Sequence, residues 1–181
     1  YNMKIKVKLL GKNTYCTLPK IIEKGDWIDL SLAKDVILSA PQSGVLREKK
    51  NEHGVITRVR NVELPVTLLP LGVAMELPKG FEAVIVVRSS TPKKWGIIQA
   101  NAYGIIDNSY CGDNDEWRLP VITLRSTEIN AGTRVAQFRI QLSQKATMWQ
   151  KIKWLFSNKI EICQVTSLNN KDRKGIGSTG D

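Results

Sequence analysis

His53 is the one histidine among 181 residues, and the three cysteines, Cys16, Cys111 and Cys163, form no CxxC pair, so few routes to catalysis are open. His53 stands in the polar run 48–54. Ser-His-Asp and Cys-His nucleophile schemes and HExxH metal sites therefore have no candidate. Hydrolysis by this chain has to run on a carboxylate and a water. Asp107 is the carboxylate best placed for it. It closes the second arm of residues 95–112, WGIIQANAYGIIDNSYCG, in which Ile97-Ile98 and the apolar run 103–106 flank Gln99-Ala100-Asn101-Ala102 and read as a short β-hairpin. A hairpin tip presents unpaired N–H and C=O groups that can match a nucleobase edge. Asp107 then lies one strand length away, near the sugar and first phosphate of such a ligand. Taken alone, the stretch reads equally as a plain hairpin with an aspartate in the following turn.

A second set of residues suits phosphate. Arg88, Ser89, Ser90 and Gln137 supply a rigid fork of charged donors, hydroxyls and an amide. Arg173, Ser178 and Thr179 stand among Gly175, Gly177 and Gly180, which allow backbone N–H groups to approach an anion closely. Read singly, Arg88 is a strand-end surface arginine and the glycine-rich segment a linker.

Five short segments in fixed order change that reading. They are GDWIDL at 25–30, Arg88-Ser89-Ser90, GIID at 104–107 with Tyr110 and Gly112, GTRVAQ at 132–137, and DRKGIGSTG at 172–180. Together the segments resemble the homotrimeric dUTP diphosphatase (dUTPase) family, and GDWIDL with YxGDNDxW resembles the variant of Bacillus-type bacteria and their phages. The resemblance implies a dUTPase-like distorted jelly-roll barrel that hydrolyses dUTP to dUMP and pyrophosphate. It makes Asp107, Asp29 and Gln137 the catalytic group, with Asp107 activating a water for in-line attack on the α-phosphate. It implies Mg²⁺ held by the substrate phosphates and by waters, with no direct protein ligand and with Asp29 acting through those waters. Asp29 also reads as a turn aspartate at a strand end. Arg88, Ser89 and Ser90 fall on the α- and β-phosphates, and Arg173, Gly177, Ser178 and Thr179 on the γ end. Asn101, Gly104, Ile105 and Ile106 wrap uracil, excluding a thymine methyl by ~1–3 kcal/mol. Tyr110 stacks on the deoxyribose.

The chain departs from the family where an arm aromatic would cover uracil, because that position holds Ile176. Trp117 has two readings: a replacement lid over the base, or a side chain packed at the barrel rim or a subunit interface. A dCTP deaminase shares the expected fold but needs a glutamate on the strand after the hairpin. Residues 120–125, PVITLR, carry Leu124 and Arg125 there. A regulatory protein-binding or nucleic-acid-binding module on the same scaffold is a further alternative.

The elements that must position these residues are strands. The run 3–10, MKIKVKLL, alternates apolar and basic residues, and similar runs recur at 35–38, 45–47, 55–59, 65–77, 81–87, 119–124, 133–142 and 160–165. Gly, Pro, Asn or Asp separates nearly all of them, so the fold class is all-β. Length and 42% apolar content indicate one barrel domain, 1–168. The polar segment 169–181 reads as a flexible C-terminal arm, which by resemblance closes over a neighbouring subunit's site. Two insertions exceed the family pattern, a charged hairpin near 39–61 and a short helix at 147–159. On that helix Met148, Trp149, Ile152, Leu155 and Phe156 share one face, expected either to pack on the barrel or to serve a partner together with an exposed Trp154. The net charge of +10 would point to nucleic acid, but the stretches 44–60 and 147–159 each contribute +3 and lie outside the motifs. A protein partner at these insertions is thus conceivable, nucleic acid is not expected, and no run is long enough to span a bilayer. The cysteine pattern indicates a cytoplasmic protein.

Overall fold

Met3, Ile5 and Val7 face inward and Asn2, Lys4 and Lys6 outward along the first strand, the period of two expected for a half-buried strand. The computed structural model describes residues 2–11, 15–157 and 159–173. In chain order the elements are β1 Asn2–Leu9, β2 Lys20–Ile21, β3 Ile28–Ser31, β4 Val36–Leu38, β5 Gln42–Lys50, β6 Ile56–Glu63, β7 Val66–Pro70, β8 Val73–Glu76, β9 Phe81–Val87, α1 Thr91–Trp95, β10 Ile97–Gln99, β11 Gly104–Ile106, β12 Arg118–Thr123, β13 Thr127–Ile129, β14 Arg134–Leu142, α2 Met148–Leu155 and β15 Lys159–Gln164.

These strands form a distorted jelly roll of small sheets around one core. The largest sheet has the order β11-β9-β14-β3-β2, and two three-stranded sheets, β15-β1-β8 and β10-β12-β7, complete the wall. Phe81, Ile85, Phe138 and Leu30 from the first sheet meet Ile5, Met75, Leu69 and Leu119 from the others, all at 1% exposure or less. Pairing is antiparallel except between β1 and β15, which run parallel from Asn2↔Lys159 to Val7↔Gln164. That one parallel pairing sends the chain after β15 toward loop 111–116, where Lys8 meets Asp113 at 3.2 Å.

Three sequence expectations need correction. The apolar run 65–77 is two strands, because the chain turns at Gly72 with φ +65°, and a Cβ there would lie 2.4 Å from Cys16 Sγ. A second helix, α1, forms beside the expected one. It begins where Pro92 favours a first turn and ends at Gly96 with φ 64°. Finally, α2 is inverted. Its capping box at Thr147 and Gln150 fixes the helix start, but the residues it turns inward are Gln150, lying against Gly80, and Trp154, packed at a tilt against Phe81 with ring centroids 5.1 Å apart, while Ile152 is half-buried. Met148, Trp149, Leu155 and Phe156 are left 68–80% exposed. A helical apolar stripe says which residues share a face, not which face the tertiary contacts select. Among the described residues, β5 and β6 pair with each other as a separate two-stranded sheet.

Candidate active site

Asp29 of β3, Gln137 of β14 and Val86 of β9 stand in register across the central sheet. Arg88 lies just beyond the end of β9, where its N–H donates to Val135 O. Asp29 is 3% exposed. Its Oδ1 lies 3.0 Å from Arg88 Nε, and its Oδ2 accepts from Arg134 Nη1 at 2.9 Å. Each carboxylate oxygen thus meets a guanidinium group, and Asp29 ties Arg88 to Arg134 across β3 and β14. The contact of Arg88 with Asp29 is made through Nε. Arg134 was not singled out from the sequence, although it lies within GTRVAQ, since nothing in the motif shows which carboxylate it meets. Next to Arg88, the chain is pinned by the buried Thr91, whose hydroxyl donates to Val135 O at 3.0 Å. Ser89 is exposed, and Ser90 caps α1 without spending its side chain on the helix. Arg88, Ser89, Ser90 and Gln137 therefore do gather as one donor group at the C-terminal end of β9.

The expected hairpin is not a simple ladder. β10 pairs with β12 and β11 with β9, so its two arms belong to different sheets. Gln99 bridges them: its Oε1 accepts from Val87 N–H and its Nε2 donates to Ile85 O, both at 3.1 Å, so the amide mimics a strand. The same Nε2 donates to Asn101 Oδ1 at 3.0 Å. Gln99 was missed because a glutamine in an apolar arm carries no pattern. The turn reaches φ 58° at Ala102, and Tyr103 beside it is exposed. Gly104 is buried, with Ile85 only 2.7 Å from where a Cβ would stand. Ile105 is exposed and Ile106 half-buried, so the backbone from Asn101 to Ile106 follows the turn at the edge of the central sheet.

Asp107 follows β11 and is half exposed. Its Oδ1 accepts from Ser109 N–H at 2.8 Å and from the Ser109 hydroxyl, and its Oδ2 pairs with Arg173 Nη1, which also donates to Ser109 Oγ at 2.7 Å. Partial burial works to raise the Asp107 pKa, but the hydrogen bonds from Ser109 and Arg173 outweigh it and hold the carboxyl below the usual range. Tyr110 is half buried against the core and donates its hydroxyl to Glu116 O at 2.9 Å. Burial first, then the charge of Asp115, raises its pKa, so the phenol stays neutral.

Residues 167–173, the end of the expected barrel and the first residues of the expected arm, which begins at 169, lie on loop 111–116. Ser167 Oγ donates to Asp113 Oδ2 and Leu168 N–H to Asp113 Oδ1, both at 2.7 Å. Asn114 donates to both oxygens of Asp172, at 2.9 and 2.7 Å. Arg173 N–H donates to Asp115 at 3.0 Å, and Asp115, 1% exposed, also accepts from Gly112 N–H at 2.8 Å. Composition marks the segment as polar but cannot show that a loop of carboxylates waits for it. Gly177, Ser178 and Thr179, with Ile176, lie outside the described residues.

Trp117 is not a lid. It is fully buried, packs edge-on against Phe138 at 5.2 Å, and its Nε1 has no hydrogen-bond partner. The alternation of β12 begins next to it, and its N–H donates to Val73 O, which turns the indole into the barrel. No group of three or more His, Cys, Asp or Glu able to hold a metal occurs among the described residues. A Mg²⁺ carried on substrate phosphates and waters needs no such cage.

The fold is a mostly antiparallel barrel with an arginine and serine fork beyond β9 and an ionised carboxylate after β11, groups suited to hydrolysis of a phosphorylated ligand. Comparison with known proteins is more specific. Residues 59–153 match the family model described as dUTPase. The SPbeta prophage-derived deoxyuridine 5'-triphosphate nucleotidohydrolase of Bacillus subtilis is 42% identical over 178 residues, covering 98% of this chain and 99% of that protein. The chain belongs to the dUTPase family. The dUTPase of Streptococcus mutans shares the fold with a TM-score of 0.59 at 19% identity, over 78% of this chain and 98% of that one. A variant dUTPase from phage phi11 of S. aureus, described with a structural Mg(II) ion, does so with a TM-score of 0.56 at 16% identity, over 80% and 94%.

Proposed function

We propose that the chain hydrolyses dUTP to dUMP and pyrophosphate. The observation that carries this is Asp107, held ionised just after β11 by Ser109 and Arg173, in a chain 42% identical along its length to a dUTP nucleotidohydrolase. Asp107 orients a water and takes its proton as the water oxygen bonds to the α-phosphorus and the bond to the bridging oxygen of the β-phosphate breaks. Placing that water is worth ~7–11 kcal/mol in favourable cases. Arg88, Ser89, Ser90 and Gln137 grip the phosphates, and Asp29 aims Arg88. Mg²⁺ carried on the phosphates supplies neutralising charge for the leaving pyrophosphate. Uracil is read by Asn101 and the backbone of Gly104, Ile105 and Ile106, and Tyr110 lies beside the sugar. Gly177, Ser178 and Thr179 complete the grip at the γ end.

Residue register supports a site built across two copies of the chain. β11 and β9 pair as Gly104↔Ile85 and Ile106↔Ala83, which brings Asp107 opposite Glu82, six residues before Arg88. At about 3.3 Å per residue the two groups are ~20 Å apart in one chain. A carboxylate that activates the attacking water and a fork that grips the same phosphate have to meet within hydrogen-bond range. Asp107 of one chain therefore works with Arg88 of another, and the resemblance to the homotrimeric family implies that the copies form a trimer. A deaminase is disfavoured by Arg125, which spends its guanidinium on Lys93 O and Lys94 O at the end of α1 and leaves no acid there.

The test is pyrophosphate release from dUTP, dTTP, dCTP and UTP with Mg²⁺. Turnover confined to dUTP is expected, whereas ammonia release from dCTP or equal turnover of dTTP would overturn the reading.

A further inference from the structure

Helix α2 lies in a segment that exceeds the family pattern, and the proposed site makes no use of it. Gln150 and Trp154 pin one side of the helix to Gly80 and Phe81 at the start of β9. The other side is apolar, with Met148, Trp149, Leu155 and Phe156 at 68–80% exposure. At 3.6 residues per turn, Leu155, Met148, Phe156 and Trp149 fall in that order across an arc of about 120°. Lys151 lies just past one margin of the arc and Lys153 just past the other, and both are exposed. Lys145 before the helix and Lys159 after it are exposed as well, and so is Lys79, the neighbour of the glycine on which Gln150 packs. No acidic residue occurs in the sequence between Glu128 and Glu161. Glu82, the acid next to Phe81, accepts from Gln141 at 2.7 Å.

A face with four bulky apolar side chains standing out from one helix and lysines along both margins selects its counterpart by charge. A second copy is a poor match, because the chain carries +10 and would bring lysines to lysines. A bilayer with anionic headgroups matches both halves of the pattern. Tryptophan, phenylalanine and leucine enter the boundary between headgroups and acyl chains, while lysines at the margins reach the phosphates and lay their stems on the apolar surface. The capping box and the two inward contacts hold the helix in place before any lipid is met, so no ordering is needed on binding. We infer that α2 is a peripheral membrane-binding element that seats the protein on anionic phospholipid, with Trp149, Leu155 and Phe156 at the acyl boundary and Lys151 and Lys153 at the phosphates. Such binding is independent of the reaction assigned above.

Flotation of the intact protein with phosphatidylcholine vesicles, with or without phosphatidylglycerol, tests it. Binding is expected to the anionic vesicles alone and should fall as salt is raised. Lys151→Gln together with Lys153→Gln should weaken it by about fivefold per lysine. Trp149→Ser together with Leu155→Ser should weaken it by about tenfold or more. Both double variants should keep the parent's turnover of dUTP, since none of the four residues belongs to the proposed site. Trp149 reports its own depth and does not depend on those variants folding. Vesicles with brominated acyl chains should quench the parent's emission, and Trp149→Phe should still bind but lose most of that quenching. No flotation of the parent, equal flotation on phosphatidylcholine alone, or undiminished binding by the folded serine variant overturns the inference, as does quenching that survives in Trp149→Phe. A parent that does not float, with an oligomeric state that changes in the serine variant, assigns the face to a second copy and overturns it too.

Discussion

Replacing Asp29 by asparagine separates a positioning carboxylate from one that faces metal-bound water. Asp29 is 3% exposed and holds Arg88 and Arg134 at 3.0 and 2.9 Å. Asparagine keeps one acceptor oxygen and turns an NH₂ donor toward the other guanidinium. One charge-assisted hydrogen bond, worth ~1.5–3 kcal/mol, is lost. Two guanidinium groups are then left without their counter-charge, and removing a partner from a buried pair costs ~3–5 kcal/mol. Arg88 and Arg134 are 29% and 41% exposed, however, so solvent screens much of that repulsion. The net loss expected is ~2–3 kcal/mol, which at ~2–4 °C per kcal/mol for a domain of this size lowers Tm by ~4–12 °C. Arg88 also loses its aim, so KM for dUTP should rise at every Mg²⁺ concentration. Thermal unfolding and a Mg²⁺ titration of kcat/KM measure both effects. Unchanged Tm together with kcat/KM restored by raised Mg²⁺ would show that Asp29 faces metal-bound water and that the positioning argument is wrong.

Asp107→Asn should fold and bind dUTP while losing at least ~10²-fold in kcat, and retention of more than about a tenth of turnover removes Asp107 from its role. Trp117→Ala should cost ~3–5 kcal/mol of stability by denaturant titration, because it empties part of the core, while leaving Kd for a non-hydrolysable dUTP analogue unchanged; weakened binding at unchanged stability would restore the lid. Ser109→Ala removes a hydrogen bond that depresses the Asp107 pKa, so the acid limb of kcat/KM should shift to higher pH. By linkage, the depressed pKa contributes stability that is present above the unfolded-state carboxylate pKa and is lost as pH falls through the folded-state value. Ser109→Ala should therefore narrow that acid-side difference, and an unmoved limb would mean that the hydroxyl does not tune Asp107.

Local pattern carried much of this protein. The alternation of Met3, Ile5 and Val7 announces a strand wherever it folds, because side chains on a pleated backbone alternate faces. The resemblance carried by the five motifs singled out Asp107, Arg88 and Gln137 as the proposed site without any contact map. Those positions are legible because their chemistry needs particular residue types at particular places along the chain. What depended on packing between distant segments was not legible. Trp117 and Trp154 were both candidates for the surface, and the barrel took both, one against Phe138 and the other against Phe81. The exposed face of α2 followed from which side found Phe81 and Gly80, a choice its own amphipathic stripe does not make. That Asp29 meets Arg134 was decided only by the pairing of β3 with β14. The polar composition of 169–173 is that of a free tail, yet the parallel pairing of β1 with β15 delivers it to Asp113, Asp115 and Gly112. Sequence fixes which groups are available. Only the tertiary fold decides which of them meet, because those contacts join residues 21 to 105 positions apart, over which local periodicity carries no signal.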